Sequence, residues 1–282
     1  MLHLDFFMPT LKTDEKMGVF YRCWEASSPA AVFLLVHGLG AHSGRWEFLA
    51  DFFLRNNFSS YAIELKGFGE TKDLKGHIGS FDVYFEDIRS ICDIIKRKNP
   101  GVKIFLLGES MGALISFLLA AKAPNLFSGL ICISPVFKSR LKFTFRDYTK
   151  IFFALLFNLK KQFKMPFDSA MCTNDVDYQR TMDADCREHR LATAKLLFET
   201  AKAVIRAKFL KDKIRIPVLF LLAGEDKLVD PETSKKIFQG LKVEDKQIIE
   251  YPKMSHALSV ELGRRKVFED ILKWVQRRLG GK

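Results

Sequence analysis

The sequence predicts an α/β protein: a mostly parallel, doubly wound sheet with an antiparallel hairpin at its N-terminal edge and a helical cap inserted late in the chain. Three observations predict it. Short apolar runs alternate with amphipathic segments along most of the 282 residues. A lone serine, Ser110, stands between two glycines where one such run turns from strand-like to helix-like. One interval is too long for an ordinary connection between elements.

The opening "LHLDFFMP", then "TDEK", then "MGVFYRCWEA" reads as two strands joined by a turn. Strand candidates follow at 31–37 (AVFLLVH), 59–65 (SSYAIEL), 102–108 (VKIFLLG), 129–135 (GLICISP), 217–224 (PVLFLLAG) and 246–252 (KQIIEYP). They are apolar throughout, as strands buried on both faces must be. Helical patterns lie between them at 46–55, 81–98, 111–122 and 231–239, with a last helix at 264–279. The long interval has helical periodicity and no convincing strand. The expected organisation is therefore a core of residues 1–135 and 217–282 and a cap of residues 136–216.

A hydrophobic content of 48% allows one large core. The N-terminal stretch has Asp5 within its apolar part and no basic leader, so a secretory signal is not expected, and no apolar run is long enough for a membrane span. Five cysteines without a C-x-x-C pair fit reduced thiols in a cytoplasm better than disulfides or structural zinc. The net charge of +12 favours an anionic partner. No nucleic-acid module is recognisable, and 27 phenylalanines point toward lipid instead.

The stretch "IFLLGESMGALISFLLAA" is where the chemistry begins. A serine pinned at a strand-to-helix corner is held at the C-terminal edge of the sheet, above a helix N-terminus whose free N–H groups can stabilise negative charge. A G-x-S-x-G string alone arises by chance in roughly one chain in ten of this length. It gains meaning only if a base, a carboxylate and an oxyanion hole accompany it. Of six histidines, His3 lies in the hairpin, His37 and His42 flank the first glycine-rich loop, His77 is in a polar loop and His189 is in the cap. His256 follows a strand at the same sheet edge and comes last in chain order, which makes it the candidate base.

Glu225, Asp226 and Asp230 compete for the carboxylate in "LFLLAGEDKLVDPETSKKIF". Asp230 precedes Pro231 and has a sufficient task as a helix N-cap. Asp226, two residues after the strand-ending Gly224, is the better orienting acid. For the oxyanion hole the candidate donors are the N–H of Met111, the residue after the serine, and that of Leu39 in "VHGLGAHSGRW". His37 would shape that loop rather than exchange protons.

Together "HGLGAHSGRW", "GESMGA", "GEDKLVD" and "SHALSVE" resemble the monoacylglycerol lipase and lysophospholipase branch of the α/β-hydrolase superfamily, over nearly the whole chain and including "MCTNDVDYQR" in the cap. The resemblance implies an α/β-hydrolase fold, the triad Ser110, Asp226 and His256, and oxyanion donors Leu39 and Met111. It also implies hydrolysis of acyl-ester lipids through an acyl-enzyme, with no metal or organic cofactor. Two departures are local. Where such enzymes usually read D-x-x-G-H-G-x-S this chain has "ELKGFGET", with Glu64, Phe68 and Thr71, and the residue before the serine, commonly His, is Glu109. An esterase or thioesterase for small soluble esters, and an idle ligand-binding protein of the same fold, are the alternative functions.

In "TFRDYTKIFFALLFNLKK" the residues Tyr148, Ile151, Phe152, Leu155 and Leu159 form one helical stripe, and Phe152, Leu155 and Leu159 are candidates to line an acyl channel. Phe153 and Phe157 lie toward the other side with Arg146, Lys150, Lys160 and Lys161. That pattern suits peripheral contact with an anionic membrane, or equally a helix buried on both sides.

Overall fold

The computed structural model describes residues 11–14 and 18–280. Ten strands are present among them: β1 (Lys12–Asp14), β2 (Val19–Trp24), β3 (Val32–Val36), β4 (Ser59–Glu64), β5 (Ile104–Glu109), β6 (Gly129–Ile133), β7 (Gln162–Lys164), β8 (Leu191–Thr193), β9 (Val218–Ala223) and β10 (Lys246–Tyr251). Eight of them form one sheet in the order β1-β2-β4-β3-β5-β6-β9-β10. From β4 to β10 every neighbouring pair is parallel, and β2 joins β4 antiparallel.

The helices are α1 (Glu47–Arg55), α2 (Phe81–Lys98), α3 (Met111–Lys122), α4 (Phe145–Phe157), α5 (Ser169–Cys172), α6 (Val176–Ala184), α7 (Ala194–Leu210), α8 (Pro231–Gln239) and α9 (Arg264–Leu279). The apolar strand runs divide their side chains between two layers. Val32, Leu34 and Val36 of β3 join a cluster with α2, α3 and Ile237 of α8, while Phe33 and Leu35 join one with α1 and α9. Both faces are thus covered, which a parallel sheet requires.

The chain leaves β3 toward β4 on one side and returns through α2 to β5 on the other side of β3. Ligands in open α/β sheets collect at such a reversal, beyond the carboxyl ends of the strands. The loop after β3 and the corner after β5 meet there.

Two expectations need correction. The first hairpin strand was expected at 2–9, which lies outside the described residues, and the strand that pairs with β2 is Lys12–Asp14, partly within the expected turn. Gly18, at φ +62°, closes that turn by donating its N–H to Asp14 O at 2.8 Å. In the cap, β7 and β8 form a two-stranded antiparallel sheet where no strand was expected. Three-residue strands such as "QFK", exposed at both ends, carry too little alternation to be read from sequence. The last helix of the interval, α7, also serves the core, since Leu196, Ala203 and Ala207 join the layer that holds α3.

Candidate active site

The corner after β5 is built by close approach of backbones. A side chain at Gly112 would place its Cβ 2.0 Å from the Val36 carbonyl oxygen, and one at Gly108 would meet the Gly112 carbonyl oxygen at 2.4 Å. Only glycine lets α3 start this close to β3 and β5. Between the two glycines Ser110 adopts φ 58°, ψ −117°, a conformation costly for a residue with a side chain. Its N–H donates to Ile133 O of β6 at 2.9 Å, which ties the corner to the next strand.

His256 follows β10 and is buried. Its Nδ1 lies 2.7 Å from Asp226 Oδ2. The other oxygen, Asp226 Oδ1, accepts from the N–H groups of Leu228 and Val229 at 2.8 and 2.9 Å. Burial alone would raise the Asp226 carboxyl, but the charge and hydrogen bond of His256 and these two N–H groups hold it below its ordinary value. An ionised carboxylate at Nδ1 fixes the tautomer with a proton there and leaves Nε2 as a proton acceptor.

Ser110, His256, Leu39 and Met111 line one cavity of about 600 Å³. Met111 opens α3, where a helix N–H has no acceptor within the helix. No carbonyl among the described residues accepts from the N–H of Leu39 or Met111. The same cavity is lined by Phe137, Phe143, Tyr148, Leu197, Val204 and Ile205, all from the interval between β6 and β9.

The loop after β3 is held from three sides. His37 accepts from the Leu65 N–H at Nε2 (3.0 Å) and donates from Nδ1 to Gly38 O (2.9 Å). Burial pushes it down to about 3, so it stays neutral. Glu64, which stands where an aspartate is usual, is buried and accepts from Ser43 N at 3.0 Å, from the Ser43 hydroxyl, from Arg22 Nη1 at 3.2 Å and from Glu70 N at 3.2 Å. Phe68 packs edge-on to His37 with ring centroids 5.9 Å apart, and Thr71 bonds within its own loop, its hydroxyl donating to Phe68 O. From the segment between α6 and β8, Glu188 pairs with Arg45, Asp185 lies 3.1 Å from His42 Nε2, and the His189 N–H donates to Gly40 O at 3.0 Å.

The other sequence candidates fall elsewhere. Glu225 is exposed. Asp230 stands at the N-cap of α8, yet its side chain makes no capping bond to that helix. It accepts from the Thr233 hydroxyl and pairs with Lys138 and Arg140, so it clasps the start of the cap interval to α8. Phe152, Leu155 and Leu159 do not line the cavity. Helix α4 buries only Ala154, Phe152 and Leu159 are exposed, and Leu155 packs beside Ala154 and Phe163. The channel wall on α4 is Tyr148 instead. Three contributors went unremarked in the sequence: the Arg45–Glu188 pair, Ser259 and Glu261. The last two lie in "SHALSVE", close enough to His256 in sequence to have drawn notice.

The chain matches the family described as serine aminopeptidase, S33, over residues 27–263. It is 29% identical to a monoglyceride lipase of Homo sapiens, covering 96% of this chain and 91% of that protein. It is 27% identical to the phospholipase YtpA of Bacillus subtilis, covering 87% and 95%. The solved monoacylglycerol lipase of Paleococcus ferrophilus superposes with a TM-score of 0.83 at 25% identity, over 92% of this chain and 99% of that one.

The different settings of the two aspartates predict different outcomes. Asp226→Asn should lower ester turnover by a factor on the order of 10³–10⁴, because an amide cannot hold the Nδ1–H tautomer or stabilise an imidazolium. Asp230→Asn should keep turnover within a few fold. Steady-state kinetics on a short soluble ester check both, and a crippling Asp230→Asn would contradict the assignment.

Proposed function

The chain belongs to the serine aminopeptidase, S33 family of hydrolases, and we propose that it is a serine hydrolase that cleaves carboxylic esters of lipids, with monoacylglycerols and lysophospholipids as the substrate class. The observation that carries this reading is the continuity of the cavity: the Ser110 corner and His256 line the same cavity as Phe143, Tyr148, Leu197 and Ile205. Its volume of about 600 Å³ is in the range of small-molecule sites, about 300–1,000 Å³. The names of the lipase and phospholipase relatives support the same class.

Peptide amine recognition fits this cavity poorly. A substrate's α-ammonium needs a free carboxylate, whereas the charged groups at the cavity wall are Arg45, Lys138, Lys208 and, as the one acid among the described residues, Glu109. Glu109 is buried and engaged with Ser259.

In the proposed reaction the Ser110 hydroxyl attacks the ester carbonyl while His256 Nε2 takes its proton. The N–H groups of Leu39 and Met111 receive the oxyanion, and Asp226 stabilises the imidazolium. Collapse breaks the C–O bond, and His256 returns the proton to the departing alcohol. Water, deprotonated by His256, then cleaves the acyl-enzyme to release the fatty acid and restore Ser110.

The cap supports peripheral attachment to a lipid surface. Among the described residues no helix is long and apolar enough to cross a membrane. Helices α4 and α7 expose Phe157 (81%), Phe209 (76%) and Phe153 (59%), along with Leu156 and Ile205. Exposed Arg146, Lys150, Lys160, Lys161 and Lys208 lie on or next to the same helices. The expectation of an inward stripe and a single outward face is too narrow, because apolar side chains emerge on both sides of Ala154. Large apolar groups set among cations suit an interface containing anionic lipid.

Two experiments test the reading. Ser110→Ala should abolish both ester turnover and labelling by a fluorophosphonate. In the wild type kcat/KM should rise with acyl length, by up to about fourfold per methylene while the channel fills, following ~0.8 kcal/mol per buried CH₂. A profile that is flat or peaks at acetyl would favour a small-ester hydrolase, and absence of labelling an idle binder.

For the membrane, the double variant Phe153→Ser/Phe157→Ser should weaken co-sedimentation with vesicles containing anionic phospholipid by about tenfold or more, from ~1.5–3 kcal/mol for each aromatic that inserts fully. Wild-type binding should decline at high salt. Turnover of a short soluble ester should be unchanged in the double variant. Equal sedimentation of variant and wild type would contradict the docking face.

A further inference from the structure

The residue before Ser110 is an acid with no part in the reaction described above. Glu109 closes β5 and its side chain is buried. Oε1 accepts from the Ser259 N–H at 3.1 Å and Oε2 from the Ser259 hydroxyl at 2.8 Å. Ser259 lies three residues beyond His256, in the loop that presents the imidazole. The same loop is held at its other end by Glu261, whose carboxylate accepts from Ser255 N at 3.0 Å and from Asn174 N at 2.9 Å.

We propose that Glu109 is a positioning residue for the hydrolytic reaction: it fastens the His256 loop to the strand end that carries Ser110, and its carboxylate is a second negative charge at the wall of the cavity it shares with His256. This rests on the reading of Ser110 and His256 as nucleophile and base. The groups facing His256 are Asp226 from the loop after β9, Glu109 from β5, and Arg45 from the turn after β3, itself paired with Glu188 of the cap. Cys172 of α5 and Tyr178 of α6 are the other titratable groups that feel the Glu109 charge. Burial pushes the Cys172 thiol up to about 12 and raises Tyr178, so both stay neutral.

Burial also works against the charge on His256. The Asp226 charge and hydrogen bond and then the Glu109 charge outweigh it, Arg45 opposing, and the imidazole ends above its ordinary 6.5. Glu109 is raised by burial, against the Ser259 N–H, His256, the Ser259 hydroxyl and Arg45. Its negative charge is therefore easiest to keep when His256 carries a proton, which is the state formed during acyl transfer.

Activity requires neutral His256, so it is lost as pH falls through the histidine's pKa, which lies above 6.5 in the wild type. Glu109→Gln preserves shape and one acceptor oxygen, its NH₂ facing the Ser259 Oγ as a donor instead, and removes the charge. The acid limb of kcat/KM, and of the fluorophosphonate labelling rate, should move to lower pH by about half a unit or more. Plateau kcat should fall several-fold with KM unchanged.

Ser259→Ala should move the limb in the same direction by less, because it removes one bond that favours the carboxylate. This second variant keeps the test valid if Glu109→Gln fails to fold. An unmoved limb in folded, active Glu109→Gln, or in Ser259→Ala if only that variant folds, overturns the proposal. Wild-type protein that neither hydrolyses esters nor labels at Ser110 would overturn the reading of the site, and this proposal with it.

Discussion

Ser110 sits at φ 58°, ψ −117°, between a strand and a helix whose backbones touch through Gly108 and Gly112. The strain is held by its surroundings: the Ser110 N–H is bonded to β6, and α3 is packed between β3, β5 and α7. Backbone strain of order 1–3 kcal/mol persists only where the fold over-determines it. The local return is geometric. The hydroxyl stands clear of the sheet, and the first N–H groups of α3 open toward the same space.

The rest of the site is arranged around that corner by buried charge. Asp226 and Glu109 approach the histidine loop from two different strands, while Arg45, paired with Glu188, faces it from a third side. His256 and two N–H groups outweigh the desolvation cost of Asp226, whereas at Glu109 burial still dominates. Glu64 does for the loop after β3 what Glu109 does for the histidine loop. Its carboxylate joins Arg22 of β2 to Ser43, so even the antiparallel part of the sheet helps to hold the loop after β3.

The parts legible in the sequence were those with local causes. Ser110 announces itself through two glycines that the close packing of α3 demands. Asp226 and His256 follow because strands of a parallel sheet deliver their loops to one edge. The partners of Glu109 were not legible, since Ser259 lies 150 positions away and only the folded sheet brings them together. Periodicity showed that α4 is apolar but not which side is covered, so Phe152 and Leu159 read as channel wall although they face outward. Asp230 was recognised as a helix starter, but its ion pairs with Lys138 and Arg140 depend on the course of the interval after β6.

In the proposed function the Ser110 corner, the N–H groups of Leu39 and Met111, and the channel lined by Tyr148 and Ile205 act as one acyl-transfer site. The most direct measurement is a crystal structure of the protein after reaction with a long-chain alkyl fluorophosphonate. The account predicts phosphorus bonded to Ser110 Oγ, the phosphonyl oxygen about 2.7–3.1 Å from both N–H nitrogens, and the alkyl chain running past Tyr148 toward Ile205. A phosphonyl oxygen turned away from Leu39 and Met111, or an alkyl chain lying outside the channel, would contradict it.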